Sequence, residues 1–115
     1  MIERILIEYL NNVLTQPVYV ERPENPPREY VVIQKLGSSK KNQISQAMMA
    51  FQSYSESLYE AALLNEDVKA AVEASVSLPE ISSAKLNSDY NFTNTASKQY
   101  RYQAVFNITH YQEAN

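Results

Sequence analysis

The side chains in this sequence that could take part in catalysis or metal binding are one histidine, many serines and several carboxylates. There is no cysteine, so thiolate catalysis and disulfide bonds are excluded. The single histidine, His110, has no acids at metal-ligand spacing around it, and a transition-metal site is not indicated. None of the serines lies in a nucleophile-elbow sequence that would favour a catalytic triad. One glycine, Gly37, cannot build a phosphate-binding loop such as GxxxxGK or GxGxxG.

Paired carboxylates are the remaining candidates for acid–base chemistry. Glu56 and Glu60 are one helical turn apart, and Glu66 and Asp67 are adjacent, with Glu73 nearby. Four of these acids fall in the amphipathic helix predicted at 57–75 and Glu56 directly precedes it, so a solvated acidic face is the simpler explanation. We therefore expect a protein that is not an enzyme, with no catalytic residues, no cofactor, no metal ion and no small-molecule substrate.

Composition and charge narrow the possible partners. The 115 residues fit one domain spanning 1–115, and 44% hydrophobic with 20% charged residues is a globular composition. The net charge of -3 argues against nucleic-acid binding, which needs a positive field. Residues 55–80 hold six acids and one lysine, a net charge of -5, whereas residues 37–54 hold two lysines and no acid, a net charge of +2. No apolar run approaches the roughly 20 residues that span a bilayer, and the acidic start does not resemble a signal peptide.

The first half of the sequence predicts one helix followed by two strands. Apolar residues in 2–14 recur at i, i+3, i+4 and i+7, which indicates an amphipathic helix. Strands are predicted at 18–21 and 30–36, separated by the proline-rich and stiff loop 22–29. The segment 37–42, Gly-Ser-Ser-Lys-Lys-Asn, is typical of a turn or mobile loop.

Residues 43–54 leave two alternatives open. Their alanine, glutamine and methionine content favours a helix, whereas their alternating apolar residues would line one face of a strand. The next segment, 57–75, predicts a helix, and Ser57-x-x-Glu60 at its start fits a capping box. One continuous helix through both segments would be unusually long for so small a protein. A break near the capping box is therefore expected.

The last third predicts an antiparallel hairpin. Apolar and polar residues alternate over 86–93 and over 100–111, with a short polar connection between them. Four of the nine tyrosines fall on this hairpin, and tyrosine is common at protein interfaces because it combines contact area with a polar tip. The positions expected to be largely buried are Leu6, Leu10, Ile33, Phe51, Leu64, Val68, Phe92 and Phe106.

Residues 44–64 resemble a strand-then-helix signature of the tail-terminator and head–tail joining proteins of long-tailed bacteriophages. In that family the triplet found here as Gln52-Ser53-Tyr54 ends a central strand. The tetrapeptide Tyr59-Glu60-Ala61-Ala62 lies in the helix that follows. The resemblance therefore implies a strand, and not a helix, for 44–54.

Other segments resemble the same family. Residues 85–93 and 99–111 resemble its closing hairpin, and residues 18–23 with 30–33 also match its pattern. The resemblance covers nearly the whole chain, but it consists of packing and turn residues and contains no catalytic motif. It implies an α+β fold of the lambda-like tail-terminator type. The implied order is α-β-β-β-α-β-β, with two main helices packed on a small mixed or antiparallel sheet.

The resemblance also implies a function and a set of partners. Family members form a ring, typically hexameric, that caps the head-proximal end of the tail tube and joins the tail to the head. The implied partners are further copies of the chain, the tail tube protein and the head connector protein. The implied location is the virion tail or neck, assembled in the host cytoplasm. The alternative is another small phage neck or adaptor protein, or a tail-assembly binding protein.

A ring subunit needs protruding elements that reach its neighbours. We expect the stiff loop 22–29 and the basic segment 37–43 to serve in this way. The acidic helix and the basic segments, 37–54 and 98–101, would meet across neighbouring subunits. No membrane and no sequence-specific nucleic acid is expected among the partners. The candidate protein-interaction residues are Lys40, Lys41, Tyr90, Lys98 and Arg101.

Overall fold

The computed structural model describes residues 1–111 as a five-stranded mixed sheet with two helices. The α+β class and the order α-β-β-β-α-β-β are confirmed. A short 3₁₀ helix extends the second helix. The elements are α1 (Ile2–Val13), β1 (Val18–Tyr19), β2 (Tyr30–Lys41), β3 (Ile44–Ser55), α2 (Leu58–Glu73), the 3₁₀ helix (Ala74–Ser77), β4 (Ile81–Asn91) and β5 (Tyr100–Tyr111).

The strands lie in the order β1-β2-β3-β5-β4. β1 is parallel to β2, and the other pairs are antiparallel. The predicted antiparallel hairpin of the last third is confirmed as β4 and β5. β4 begins earlier than predicted, at Ile81, because Ile81 and Ser83 pair with the far end of β5 across a β-bulge.

Residues 44–54 form the central strand β3, as the resemblance implied. Helix propensity is overridden because β3 is paired with β2 over Ile44–Tyr54 on one side and with β5 over Ile44–Ser55 on the other. Helix α2 follows, and the hydroxyl of its N-cap residue Ser57 accepts a hydrogen bond from the Glu60 backbone N–H at 3.1 Å. This is one half of the predicted capping box.

Both helices pack on the same face of the sheet. Leu6 and Leu10 of α1 and Val68 of α2 are fully buried against Phe51 and Phe106 of the sheet. The two phenylalanine rings meet edge to face, with centroids 5.7 Å apart. Seven of the eight predicted core residues are buried, so the sequence pattern located this core correctly.

The eighth predicted core residue, Phe92, is not buried. Its side chain is 39% exposed, because β4 ends at Asn91 and Phe92 lies in the connection to β5 at an outer edge of the sheet. Period-2 alternation places Phe92 on one face of a strand, but it does not show whether another element covers that position. Within residues 1–111 the position is covered only in part.

The segment 37–42 is not a loop. β2 continues through it to Lys41, and only Asn42 and Gln43 form the turn to β3. Both turn residues have positive φ, 53° and 67°, as a two-residue hairpin of the I′ kind requires. Gly37 is a strand residue beside a β-bulge, and not a turn residue. We call residues 36–48, which include this turn, the arm; within it only Ala47 is buried.

Candidate assembly interface

The residues first considered for chemistry do not converge on a reaction centre. Within residues 1–111 no group of three or more histidine and acidic side chains could hold a metal ion. Glu56 and Glu60 both contact Arg28, at 2.6 and 4.0 Å from its guanidinium nitrogens, which ties the start of α2 to the proline-rich loop. These carboxylates therefore have a structural explanation.

The sheet face opposite the helices has a row of aromatic rings and one cation at its proline-loop end. Tyr30 of β2 stacks on Tyr54 of β3, with ring centroids 4.5 Å apart and planes within 7°. Arg101 of β5 donates to the Tyr54 hydroxyl at 2.7 Å, and its guanidinium lies 4.6 Å from the Phe92 ring centroid. Tyr19 meets Tyr30 edge to face. This row fixes the positions of its side chains through cation–π and aromatic contacts.

A second row, of amide side chains and one tyrosine, crosses the same face two residues further along β3, at Gln52. The Gln52 side-chain amide donates to Gln103 at 2.8 Å and to Gln34 at 3.4 Å. Gln103 in turn donates to the Tyr90 hydroxyl at 2.6 Å. Gln52 and Gln103 are buried although both helices lie on the other face. The helix-free face is therefore a preorganised surface of linked side chains.

The arm forms the opposite end of the sheet. Lys40 and Lys41 are exposed, and Lys41 pairs with Ile44, which pairs with Tyr111 of β5. Large apolar side chains are exposed here as well. They are Leu36, Ile44, Met48 and Tyr111. A groove with a volume of about 560 Å³ runs beside the arm, between residues 36–39, 46–48 and 107–109.

The structure divides the five predicted interaction residues into two groups. Lys40 and Lys41 lie on the arm, whereas Arg101 pairs with Tyr54 near the other end of β3. Ten residues of β3 separate Ile44 from Tyr54, or about 33 Å of extended strand. The predicted basic segments therefore do not form one patch.

The other three predicted residues lie at the proline-loop end or on the edge strand. Lys98 is an exposed residue of the β4–β5 connection, with φ of 55°. Tyr90 and Arg101 take part in the two rows described above, so each has a structural role besides any contact with a partner. Tyr90 remains 41% exposed and is available to a partner from the helix-free side.

Helix α2 has an outward-facing stripe that sequence reasoning did not single out. Tyr59 is 73% exposed and Leu63 is 49% exposed, and both are on the side of α2 away from the sheet. Glu66 and Glu73 continue the stripe at helical spacing, with Asp67 beside it. The i, i+4, i+7 spacing of Tyr59, Leu63 and Glu66 could have revealed this stripe, but the apolar members also fit a general helix pattern.

A polar cluster joins α2 to the edge strand β4. The Lys69 ammonium lies 2.7 Å from a Glu66 carboxylate oxygen and 2.9 Å from one of Asp89, which also accepts from the Asn65 side chain. The hydrogen bonds that Lys69 donates to Glu66 and to Asp89 raise the pKa of Lys69 above its ordinary value, against the opposing effect of burial. Sequence reasoning missed this cluster because the periodicity of α2 and that of β4 do not show which residues of the two elements meet.

Across residues 1–111, neither helix combines the length and the hydrophobicity that crossing a bilayer would require. No protein-family model matches the sequence, and no curated protein sequence matches it. The surfaces described above and the sequence resemblance are therefore the features that bear on function.

Proposed function

We propose that this chain is a non-enzymatic structural protein of a long-tailed bacteriophage. In this proposal it forms a ring, most simply a hexamer, at the head-proximal end of the tail tube. The ring stops tube polymerisation and joins the tail to the head connector, so its partners are the tail tube protein and the connector protein. The protein then resides in the virion neck after assembly in the host cytoplasm.

The proposal begins from the resemblance of residues 44–64, 85–93 and 99–111 to tail-terminator and head–tail joining proteins. That resemblance required a strand at 44–54, against local propensity, and the strand is present. The element order implied by the resemblance also agrees with the fold. These agreements support the proposal at the level of the fold.

The observation that best supports an assembly role is the distribution of exposed groups. The helix-free face, the arm and the outward side of α2 each offer exposed apolar side chains, and each is part of a regular element. A joining ring needs several separate contact surfaces of this kind, for its neighbours, for the tube below and for the connector above. An enzyme would instead need converging polar groups in one enclosed pocket.

The experiment that tests the proposal deletes the gene for this chain from the phage that encodes it. Particles are then examined by negative-stain electron microscopy. A tail terminator predicts overlong tails and heads without tails, and a plasmid copy of the wild-type gene restores normal particles. Tails of normal length that fail to attach to heads would instead indicate a neck adaptor. Normal particles at normal yield would contradict both functions.

The basic arm provides a point-mutant version of the same test. Complementation with Lys40→Glu plus Lys41→Glu is expected to reproduce the deletion phenotype while the isolated protein stays folded, because both side chains are exposed. The control is Arg4→Glu, at an α1 position that is 78% exposed and, within residues 1–111, forms an ion pair only with Glu8. The control is expected to complement. Full complementation by the double arm variant would remove the arm from the assembly contacts.

A further inference from the structure

The arm combines exposed apolar side chains with positive charge and no acid. Met48 and Ile44 are 41% and 42% exposed on it. Lys40 and Lys41 lie on its outer strand, and Lys85 of β4 lines the groove beside it. Residues 36–48 contain no aspartate or glutamate. A partner for this surface must therefore offer apolar side chains flanked by carboxylates.

The outward stripe of α2 has these properties. Tyr59 and Leu63 are exposed on it, and the acids Asp67 and Glu73 lie one to three turns further along the helix. Neither Asp67 nor Glu73 forms an ion pair within residues 1–111, so their charge is free to meet a cation from outside. The stripe is thus opposite in charge to the arm and similar to it in apolar content.

We infer that the arm of one subunit docks on the outward stripe of α2 in the next subunit. Tyr59 and Leu63 of the stripe then pack against Met48 and the groove beside the arm. The lysines at the arm tip approach the carboxylates of the neighbour's α2. The closing of these contacts into a ring rests on the proposed function. The contact between two subunits is inferred from the two surfaces themselves.

Charge makes the contact head-to-tail. Two arms facing each other would bring Lys40 and Lys41 of both copies together, and two stripes would bring Asp67 and Glu73 together. A contact between two different surfaces of the same chain is heterologous, and it closes into a ring when the rotation between subunits allows. A symmetric dimer that places arm against arm, or stripe against stripe, is therefore disfavoured.

The sheet edges do not offer an equally good contact. β-Bulges interrupt β2 between Lys35 and Gly37 and interrupt β4 at two places, which disturbs the row of backbone groups that an added strand would need. Lysines also lie on both edges, Lys40 on β2 and Lys85 on β4. Pairing β2 of one copy with β4 of another would place like charges close together.

The absence of cysteine permits a direct cross-linking test. Met48→Cys and Leu63→Cys single variants are purified, mixed in equal amounts and treated with a short bismaleimide over a dilution series. The mixture is expected to give a heterodimer, and each variant alone is expected to give little dimer. The double variant Met48→Cys with Leu63→Cys is expected to give a ladder of multimers. Arg4→Cys mixed with Leu63→Cys is the control and is expected to give no product.

Charge reversal provides the second arm of the test. Adding Lys40→Glu and Lys41→Glu to Met48→Cys is expected to reduce the heterodimer yield by about tenfold or more, since attractive pairs become repulsive. Adding Asp67→Lys and Glu73→Lys to the Leu63→Cys partner is expected to restore the yield. Circular dichroism of each variant checks that it is folded.

The outcomes separate the inference from the proposed function. No Met48→Cys–Leu63→Cys product at any concentration, or a product that ignores charge reversal, would overturn the inference. If the gene deletion nevertheless gives overlong tails, the ring forms through other surfaces and the proposed function stands. If cross-linking and rescue succeed but the deletion leaves particles normal, the contact is real and the proposed function is wrong.

Discussion

Phe51→Ala is the substitution that most directly tests the described core. Phe51 is fully buried in the central strand β3, and its ring meets Phe106 of β5 edge to face at 5.7 Å. Helices α1 and α2 both pack on this face of the sheet. Removing the ring therefore affects the contact between the sheet and both helices.

The expected cost follows from two contributions. Withdrawing a Phe side chain from water is worth about 1.5–3 kcal/mol, and the cavity that alanine leaves adds to this, so the total loss is about 3–5 kcal/mol. A domain of this size has a total stability of about 5–15 kcal/mol. The substitution therefore removes about a fifth or more of the stability, and the midpoint of thermal unfolding should fall by about 10–20 °C.

The assay is urea denaturation followed by circular dichroism, with Phe92→Ala as the matched control. Phe92 is the same residue type, but it is 39% exposed and contacts mainly Tyr90 and Arg101. Its replacement should cost about 1 kcal/mol. A loss below about 1 kcal/mol for Phe51→Ala, or equal losses for the two variants, would contradict the described packing.

Three further predictions concern the turn, the pH dependence and the helix-free face. Gln43→Gly should raise the free energy of unfolding by up to about 1 kcal/mol, because glycine adopts the positive φ at this position without a Cβ penalty; a clear loss in urea titration would contradict the turn geometry. Ion-pair hydrogen bonds raise the pKa of Lys69 in the folded protein, and burial raises the pKa of Tyr9. Both groups therefore stabilise the fold at pH values below their ordinary pKa values of 10.5 and 10.0, and this stability is lost as the pH rises through the pKa of the folded state. A free energy of unfolding that increases above pH 10 would refute this. Gln103→Ala should cost about 1–3 kcal/mol, since it removes the shorter of the two hydrogen bonds that the buried Gln52 amide donates; a neutral result would contradict a stabilising role for this bond.

The local sequence pattern predicted an element correctly where its own periodicity agrees with the structure that its partners in the fold require. The hairpin of β4 and β5 and the helix α2 follow directly from alternation and from the cap at Ser57. For β3, propensity and topology disagree, because its alanine and methionine residues favour helix in isolation. Pairing on both sides decides in favour of the strand, and this information lies in other parts of the chain.

The register of the sheet could not be predicted, and most of the candidate interface depends on it. Gln52, Gln103 and Tyr90 form one row only because β3, β5 and β4 are paired at these positions. A shift of one residue would send each side chain to the opposite face. Gly37 misled the interpretation of the arm, since a lone glycine followed by serines and lysines is typical of a loop.

The placement of Lys40 and Lys41 on a paired strand changes the physical basis of the proposed assembly. A mobile loop would lose conformational freedom when it docks, at about 1–2 kcal/mol for each residue that becomes ordered. The arm is already ordered by pairing to β3, which is itself paired to β5, so little further ordering is needed. The stripe on α2 is equally fixed, because Val68 and Leu64 hold the opposite side of that helix in the core. Two rigid surfaces set the angle between neighbouring subunits, and a fixed angle is what allows head-to-tail contacts to close into a ring of definite size.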